Sequence, residues 1–239
     1  MFYIKLAEVI QWLNMDYEEI IVKLKSLENP RNVESMSRFG IRPKTKVLGI
    51  PIPVSRKMAK AIGKNHELAL KLFNSGIHEA QILAGFIAEP EKFTKQQIEE
   101  WVKLFDSWDI VDQVCSAAID KTKFVPKIIF EYARRKEEFV KRTAFTLIAC
   151  LTVHNKEMKN EEFLKFFPLI KKASADERNF VKKAVNWALR QIGKRNKKLN
   201  VRAIKLAKEI QQINSKSARW IANDAIRELT GENVQKRLK

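Results

Sequence analysis

Outside one stretch, Phe39 to Val54, this chain is nearly free of the residues that stop helices. It holds seven Gly and seven Pro in 239 residues, and five of them fall between Gly40 and Pro53. Elsewhere apolar residues recur at three- and four-residue spacing in segments of about 10 to 17 residues, while alternating β-branched runs are hard to find. The pattern predicts an all-α chain, because a helix needs an uninterrupted backbone N–H ladder and little else here interrupts it. Helices are expected at 2–13, 16–28, 31–38, 54–63, 66–74, 77–88, 95–105, 109–119, 123–134, 137–152, 160–172, 176–193, 199–212 and 216–229, with 39–54 as a loop and Ser55 near the start of the helix after it.

Several of these helices carry start signals. Thr94 with Gln97, and Ser174 with Glu177, fit the capping box, and Asn65 and Ser75-Gly76 mark further boundaries. Helix pairs recurring every 35 to 45 residues or so, with no sheet to hold them, predict an α-solenoid of antiparallel HEAT-like pairs. A single repeat domain over 1–239 with a concave basic cleft is the expectation, and a globular helical bundle is the competing architecture.

Two cysteines, Cys115 and Cys150, are too few for a disulfide framework, and His66, His78 and His154 lack metal-ligand spacing, so no metal and no cofactor are expected. The N-terminus carries Lys5 and Glu8 within its apolar residues and reads as an amphipathic helix and not a leader peptide. No uncharged apolar run approaches the roughly 18 residues that span a bilayer, which argues against a membrane and for the cytoplasm. The net charge is +18, and all of it lies in residues 121–239, where 30 Lys and Arg face 12 Asp and Glu. A one-sided excess of this size implies a polyanionic partner, most simply nucleic acid.

Two stretches stand out for chemistry. In Trp108-Asp109-Ile110-Val111-Asp112, Trp108 and Asp112 lie one helical turn apart and project to nearly the same side, away from a buried face marked by Ile110, Val111, Val114, Ala117 and Ala118. The structural alternative is that Asp109 caps a helix beginning at Ile110, with Asp112 in its first turn. In residues 176–193, Val181, Ala184, Val185, Ala188 and Ile192 form a core stripe, and Lys183, Trp187, Arg190 and Lys194 a second stripe. Trp187 among bases fits either packing on a neighbour or contact with a ligand. Arg142 fits either a cation in the same cleft or a solvated face. Lys182, Lys183, Arg190, Lys194, Arg195, Lys197 and Lys198 are candidates to grip phosphates, which would make binding fall steeply with salt. His78-Glu79 is expected to be a helix boundary with a satisfied histidine, Cys115 a small buried residue, and Trp12, Trp101 and Trp220 packing residues.

Taken in order, Ser37-Arg38-Phe39-Gly40-Ile41, Gly76-Ile77-His78-Glu79-Ala80, Trp108-Asp109-x-x-Asp112, Lys141-Arg142-Thr143-Ala144 and Lys183-Ala184-Val185-Asn186-Trp187-Ala188-Leu189-Arg190 resemble the AlkD-like DNA alkylation repair proteins, over about residues 30 to 230. These are HEAT-like-repeat DNA glycosylases. The resemblance implies a monofunctional, monomeric enzyme that removes cationic alkylated purines, such as 3-methyladenine and 7-methylguanine, from double-stranded DNA without extruding the base. It makes Asp112 the catalytic carboxylate, Trp108 and Trp187 aromatic walls around the lesion's deoxyribose, and Arg142 a basic residue near the adjacent phosphate, with Lys141 beside it. A tyrosine of the family's N-terminal part has no counterpart that can be placed; Met36 and Phe39 are not equivalents.

That residue set suits the chemistry. A purine alkylated on a ring nitrogen already carries positive charge and leaves readily, so the protein's task is to stabilise the oxocarbenium ion left on the sugar and to position water. An ionised carboxylate and tryptophan faces both do this. A catalytically silent nucleic-acid-binding repeat protein is the alternative, and a scaffold for an acidic protein partner needs only the charge.

Overall fold

The computed structural model describes residues 15–238, and the helix expected at 2–13, with Trp12, lies outside them. The regular structure of the described residues is all helical, apart from one isolated bridge between Lys46 and Ile77. They divide into two compact units, one ending at Lys123 and the other beginning at Phe124.

The first unit contains α1 (Tyr17–Ser26), α2 (Pro30–Arg38), α3 (Ile52–Ile62), α4 (His66–Phe73), α5 (His78–Ile87), α6 (Lys95–Leu104) and α7 (Trp108–Ala117), with 3-10 turns at Pro90–Lys92 and Ile119–Lys121. The expected caps appear where the side chains can reach: Asn65 accepts from Leu68 N–H, and Thr94 and Gln97 form a full capping box. Ser55 does not open α3. The helix begins at Ile52 behind Pro51, where the missing N–H of Pro53 costs nothing in the first turn, and Ser55 is buried. α3, α5 and α7 pack in succession, each helix against the next but one in the chain. α5 is the centre of this layer and is buried on nearly every side. A Cβ on Gly85 would meet Val114 at 3.0 Å, so glycine lets α5 and α7 approach closely. Against them Phe73 stacks on Trp101 with ring centroids 4.0 Å apart, and Phe93 meets Trp101 edge-on.

The loop before α3 is held by the start of α5. Lys46 N–H donates to the Gly76 carbonyl, and His78 N–H donates back to the Lys46 carbonyl, both at 2.9 Å. The buried Glu79 carboxyl then accepts the N–H groups of Leu48, Gly49 and Ile50 at 2.9, 2.7 and 3.2 Å. Gly49 adopts φ +78°, and a Cβ there would lie 2.4 Å from the Asn29 carbonyl oxygen, so both the backbone conformation and the close approach require glycine.

The second unit contains α8 (Val125–Tyr132), α9 (Glu138–His154), α10 (Asn160–Leu164), α11 (Phe167–Ala173), α12 (Asn179–Gly193), α13 (Lys197–Gln211), α14 (Lys216–Thr230) and α15 (Glu232–Gln235). α9 packs on α12 and α12 on α14, and α8, α11 and α13 lie against them as a second layer. The repeat is written into the polar contacts. Arg142 to Phe180, Lys171 to Glu209, Glu177 to Ser215, Asn186 to Asp224 and Arg190 to Glu228 are all bonds between residues 38 apart. Such a constant offset is what stacked, equal-length helix pairs produce. The core stripe expected on α12 is buried as read, from Val181 to Ile192.

Two expectations fail here for physical reasons. The helix expected at 160–172 is two helices, because the Pro168 ring cannot follow the Leu164 carbonyl in a continuous helix; it sits instead in the first turn of α11. Ser174 and Glu177 do not form a capping box. Ser174 ends α11, its hydroxyl donating to the Lys171 carbonyl at 2.7 Å, and Glu177 reaches the next repeat, accepting from the Ser215 hydroxyl and Ser217 N–H at the start of α14.

Replacing Glu79 by Ala leaves three buried N–H groups unpaired. A loss of about 3 kcal/mol or more is expected, since each orphaned donor costs roughly 1 to 3 kcal/mol. Urea unfolding of Glu79→Ala against the unaltered protein measures it, and an unchanged midpoint would show that the loop is not held this way.

Candidate functional site

α7 begins two residues earlier than a cap at Asp109 would allow. Ser107 stands at the N-cap position, Trp108 is the first helical residue, and Asp109 lies in the first turn, buried. Asp109 does not cap because it is bonded elsewhere: its Oδ2 accepts from His78 Nε2 at 2.7 Å, and its Oδ1 from the Ser107 hydroxyl at 2.5 Å. Asp112 is therefore in the second turn, half-buried, on the side of the helix that also carries Trp108. The indole N–H of Trp108 donates to the Phe39 carbonyl at 3.1 Å, which fixes the ring at the end of α2. Phe39 itself is 73% exposed. The two tryptophan and aspartate positions singled out in α7 thus flank one surface of the first unit. Ile110, Val111, Val114 and Ala118 are buried beneath them, as is Cys115.

The His78–Asp109 pair sets the local electrostatics. Burial alone pushes the His78 imidazole down, but the hydrogen bond and charge of Asp109, with Glu79 and Asp106 adding, outweigh it, and its pKa lies above the ordinary value. Burial pushes the Asp109 carboxyl up, yet the bond and charge of His78, the Ser107 hydroxyl and the Ile110 N–H hold it below the ordinary value. The histidine is satisfied only in part: Nε2 is paired with Asp109, while Nδ1 is buried without a hydrogen-bond partner among the described residues. What sequence alone does not disclose is its partner, 31 residues away, on the very segment that carries Trp108 and Asp112.

In the second unit Arg142 is not on a solvated face. It is 4% exposed, and its guanidinium donates to the Phe180 carbonyl at 2.7 Å. Lys141 pairs with Asp176 at 3.0 Å, and Arg178 holds the same carboxylate. These two cations outweigh the effect of burial and keep the Asp176 carboxyl well below the usual carboxylate range. Trp187 is half-buried on α12. Of the bases proposed to grip phosphate, Arg190 and Lys194 both pair with Glu228, and Arg190 also approaches Asp224. Arg195 donates to the carbonyls of Thr152, Asn155 and Lys156 and lies over the Phe163 ring, closing the end of α9. Lys183, Lys197 and Lys198 are exposed. Lys182 lies over the Trp220 ring, 5.0 Å from its centroid. Trp101 is core, as expected, but Trp220 is not: it is 41% exposed, and its partner is that lysine. Among the described residues no group of three or more His, Cys, Asp or Glu is arranged to hold a metal, and no helix is long and apolar enough to cross a membrane.

Layers of paired helices, with α9, α12 and α14 tied together at a constant offset, place the chain in the HEAT-like repeat class of all-α proteins. A solved structure described as a new family of proteins related to the HEAT-like repeat DNA glycosylases, with affinity for branched DNA structures, superposes with a TM-score of 0.74 over 91% of this chain and 97% of that one, at 18% identity. A family profile described as DNA alkylation repair enzyme matches residues 20–229, across both units, and the chain belongs to that family. Curated relatives include uncharacterized proteins of Listeria monocytogenes and Listeria innocua, 30% and 28% identical over 95 residues, or 38% of this chain. The match spans 42% of the length of each of these relatives.

The shifts of His78 and Asp109 give the stability a defined pH dependence. A raised histidine pKa contributes fully below its unfolded value, about 6.5, and the contribution is lost as pH rises through the folded value. A lowered aspartate pKa contributes above about 3.9, and is lost as pH falls through the folded value. The difference in urea midpoint between the unaltered protein and Asp109→Asn should therefore be larger at pH 5.5 than at pH 8.5; equal differences would refute the pairing.

Proposed function

We propose that the protein is a monofunctional DNA glycosylase that hydrolyses the N-glycosidic bond of cationic alkylated purines in duplex DNA, of the 3-methyladenine and 7-methylguanine type. The observation that carries this reading is the division of labour on α7. Asp109 is buried and committed to His78, while Asp112, one turn on from Trp108, stands half-exposed beside an indole locked in place by the Phe39 carbonyl. Membership of the DNA alkylation repair enzyme family supports it.

In this reading the bond from C1′ to the purine nitrogen breaks with its electron pair going to the base, which leaves neutral. The positive charge passes to the sugar, where the Asp112 carboxylate stabilises it and the Trp108 face attracts it. Water adds to C1′ and gives up its extra proton to the solvent. Nothing in this sequence of events calls for a metal or a cofactor. On the second unit Trp187 offers a further half-buried aromatic face, whereas Arg142 is buried against the Phe180 carbonyl and serves the packing of the repeat. Lys183, Lys197 and Lys198 make phosphate contacts, with Lys182 beside them, while Lys141, Arg190, Lys194 and Arg195 contribute through donors left over from their partners within the protein. The enzyme acts as a cytoplasmic monomer.

A second reading, a nucleic-acid-binding repeat protein without catalysis, is favoured by two observations. The structurally similar protein is described by its affinity for branched DNA, and several bases of the second unit are engaged within the protein.

Incubating the purified protein with alkylated duplex DNA and identifying released bases by mass separates the two. Asp112→Asn should lower release of 7-methylguanine by at least a hundredfold, the scale on which one electrostatic contact at a developing charge acts, while salt-sensitive binding persists. Release at the unaltered rate would remove Asp112 from the mechanism, and no release by the unaltered protein would favour the binding reading.

A further inference from the structure

The first unit contains an open cavity of about 340 Å³ between α3, the ends of α5 and α7, and the 3-10 turn after α7. Three cations line it, Arg56, Lys64 and Lys121, together with Gln113, Ser116 and the Phe86 ring, and no carboxylate does. Arg56 lies over Phe86 at 5.7 Å and donates to the Gln113 side-chain carbonyl at 3.2 Å. That bond turns Gln113 so that its amide N–H pair is left to donate, and a guanidinium with five N–H groups retains most of its own.

A structural account covers part of this cluster. Lys64 donates to the Phe86 and Ala88 carbonyls at 2.9 and 2.8 Å, and Lys121 to the Ala117 carbonyl at 2.7 Å, so both lysines cap helix C-termini. Each such end carries roughly half a negative charge, so three cations against two helix ends leave about two positive charges. Arg56 caps nothing. Burial and the nearby Lys121 push the Lys64 ammonium below its ordinary value, although Glu91 and Glu89 act the other way. Capping accounts for two of the cations. It does not account for the third, nor for the amide and hydroxyl donors beside it.

The placement is informative. Trp108, Asp112 and Ser116 follow at four-residue intervals on α7 and share a face, and Gln113 adjoins Asp112. Within the cavity lining, Ser116 thus lies about 6 Å along the helix axis from Asp112. We propose that this pocket is a phosphodiester-binding site, with Arg56, Gln113 and Ser116 as direct donors and Lys64 and Lys121 supplying charge, and that it anchors the DNA strand beside Trp108 and Asp112. The inference rests on the DNA-acting reading above and adds to it a contact whose direct donors all lie in residues 1–120, where the net charge is zero.

Binding of the full-length protein to an unmodified duplex oligonucleotide, followed by fluorescence anisotropy across a KCl series, tests it. Each phosphate contact contributes about −0.9 to the slope of log K against log salt. Arg56→Gln should make the slope shallower by about that amount and weaken binding about tenfold at low salt, with the melting temperature unchanged. Arg56→Lys should keep the slope. An unaltered slope in Arg56→Gln overturns the anchor while leaving the glycosylase reading intact. Absence of salt-dependent binding by the unaltered protein overturns both. Titration with inorganic phosphate, read from the Arg56 side-chain N–H resonance, covers the other source of the same chemistry: a saturable shift together with an unaltered slope would assign the pocket to free phosphate and reject the strand anchor.

Discussion

Two side chains at the start of α5 fix the geometry of the first unit. Glu79 accepts three successive backbone N–H groups and so pins an extended segment that has no sheet to join. His78, its neighbour, turns the other way and bonds Asp109, fixing the start of α7. Trp108 then reaches back to the Phe39 carbonyl at the end of α2. Buried polar groups that find their partners order their surroundings, because each has few acceptable geometries. Trp108 and Asp112 are positioned by α7, whose start this chain of bonds fixes.

The same chain of bonds explains what could be read from the residues and what could not. Helix periodicity located nearly every element to within a few residues, and the stripe from Val181 to Ile192 was legible because burial follows local spacing. The Thr94–Gln97 box was legible because its partners lie three residues apart. Ser174 and Glu177 carry the same local signal, yet Glu177 serves the next repeat, since a neighbouring helix start offered it donors. Asp109 does not serve as the cap that its local pattern offers, for the same reason. A long-range partner outweighs a local one when it is buried and charged, and no spacing rule announces a histidine 31 residues upstream. On the candidate site, the half-exposure of Asp112 and Trp108 agrees with the helical wheel, whereas the burial of Arg142 depends on the Phe180 carbonyl, which only the fold supplies.

The basic excess of the second half also divides once the structure is in hand. Lys141, Arg190, Lys194 and Arg195 neutralise carboxylates or close helix ends, so part of the charge that first suggests a polyanion holds the repeats together. Lys183, Lys197 and Lys198 remain at the surface. Net charge counts both kinds alike. Their separation matters for interpreting charge-removal variants, because neutralising a paired base perturbs folding and neutralising an exposed one perturbs association.

Five polar bonds in the second unit join residues 38 positions apart, from Arg142 and Phe180 to Arg190 and Glu228. A register shared by so many pairs makes length a conserved quantity between adjacent helix pairs. Adding or deleting one residue within α12 would rotate everything beyond it by about 100° and break these partnerships together. Loss or gain of a complete repeat would leave them all in step. Change in this part of the chain is therefore quantised: small insertions are confined to the connections, and larger ones come in whole repeats.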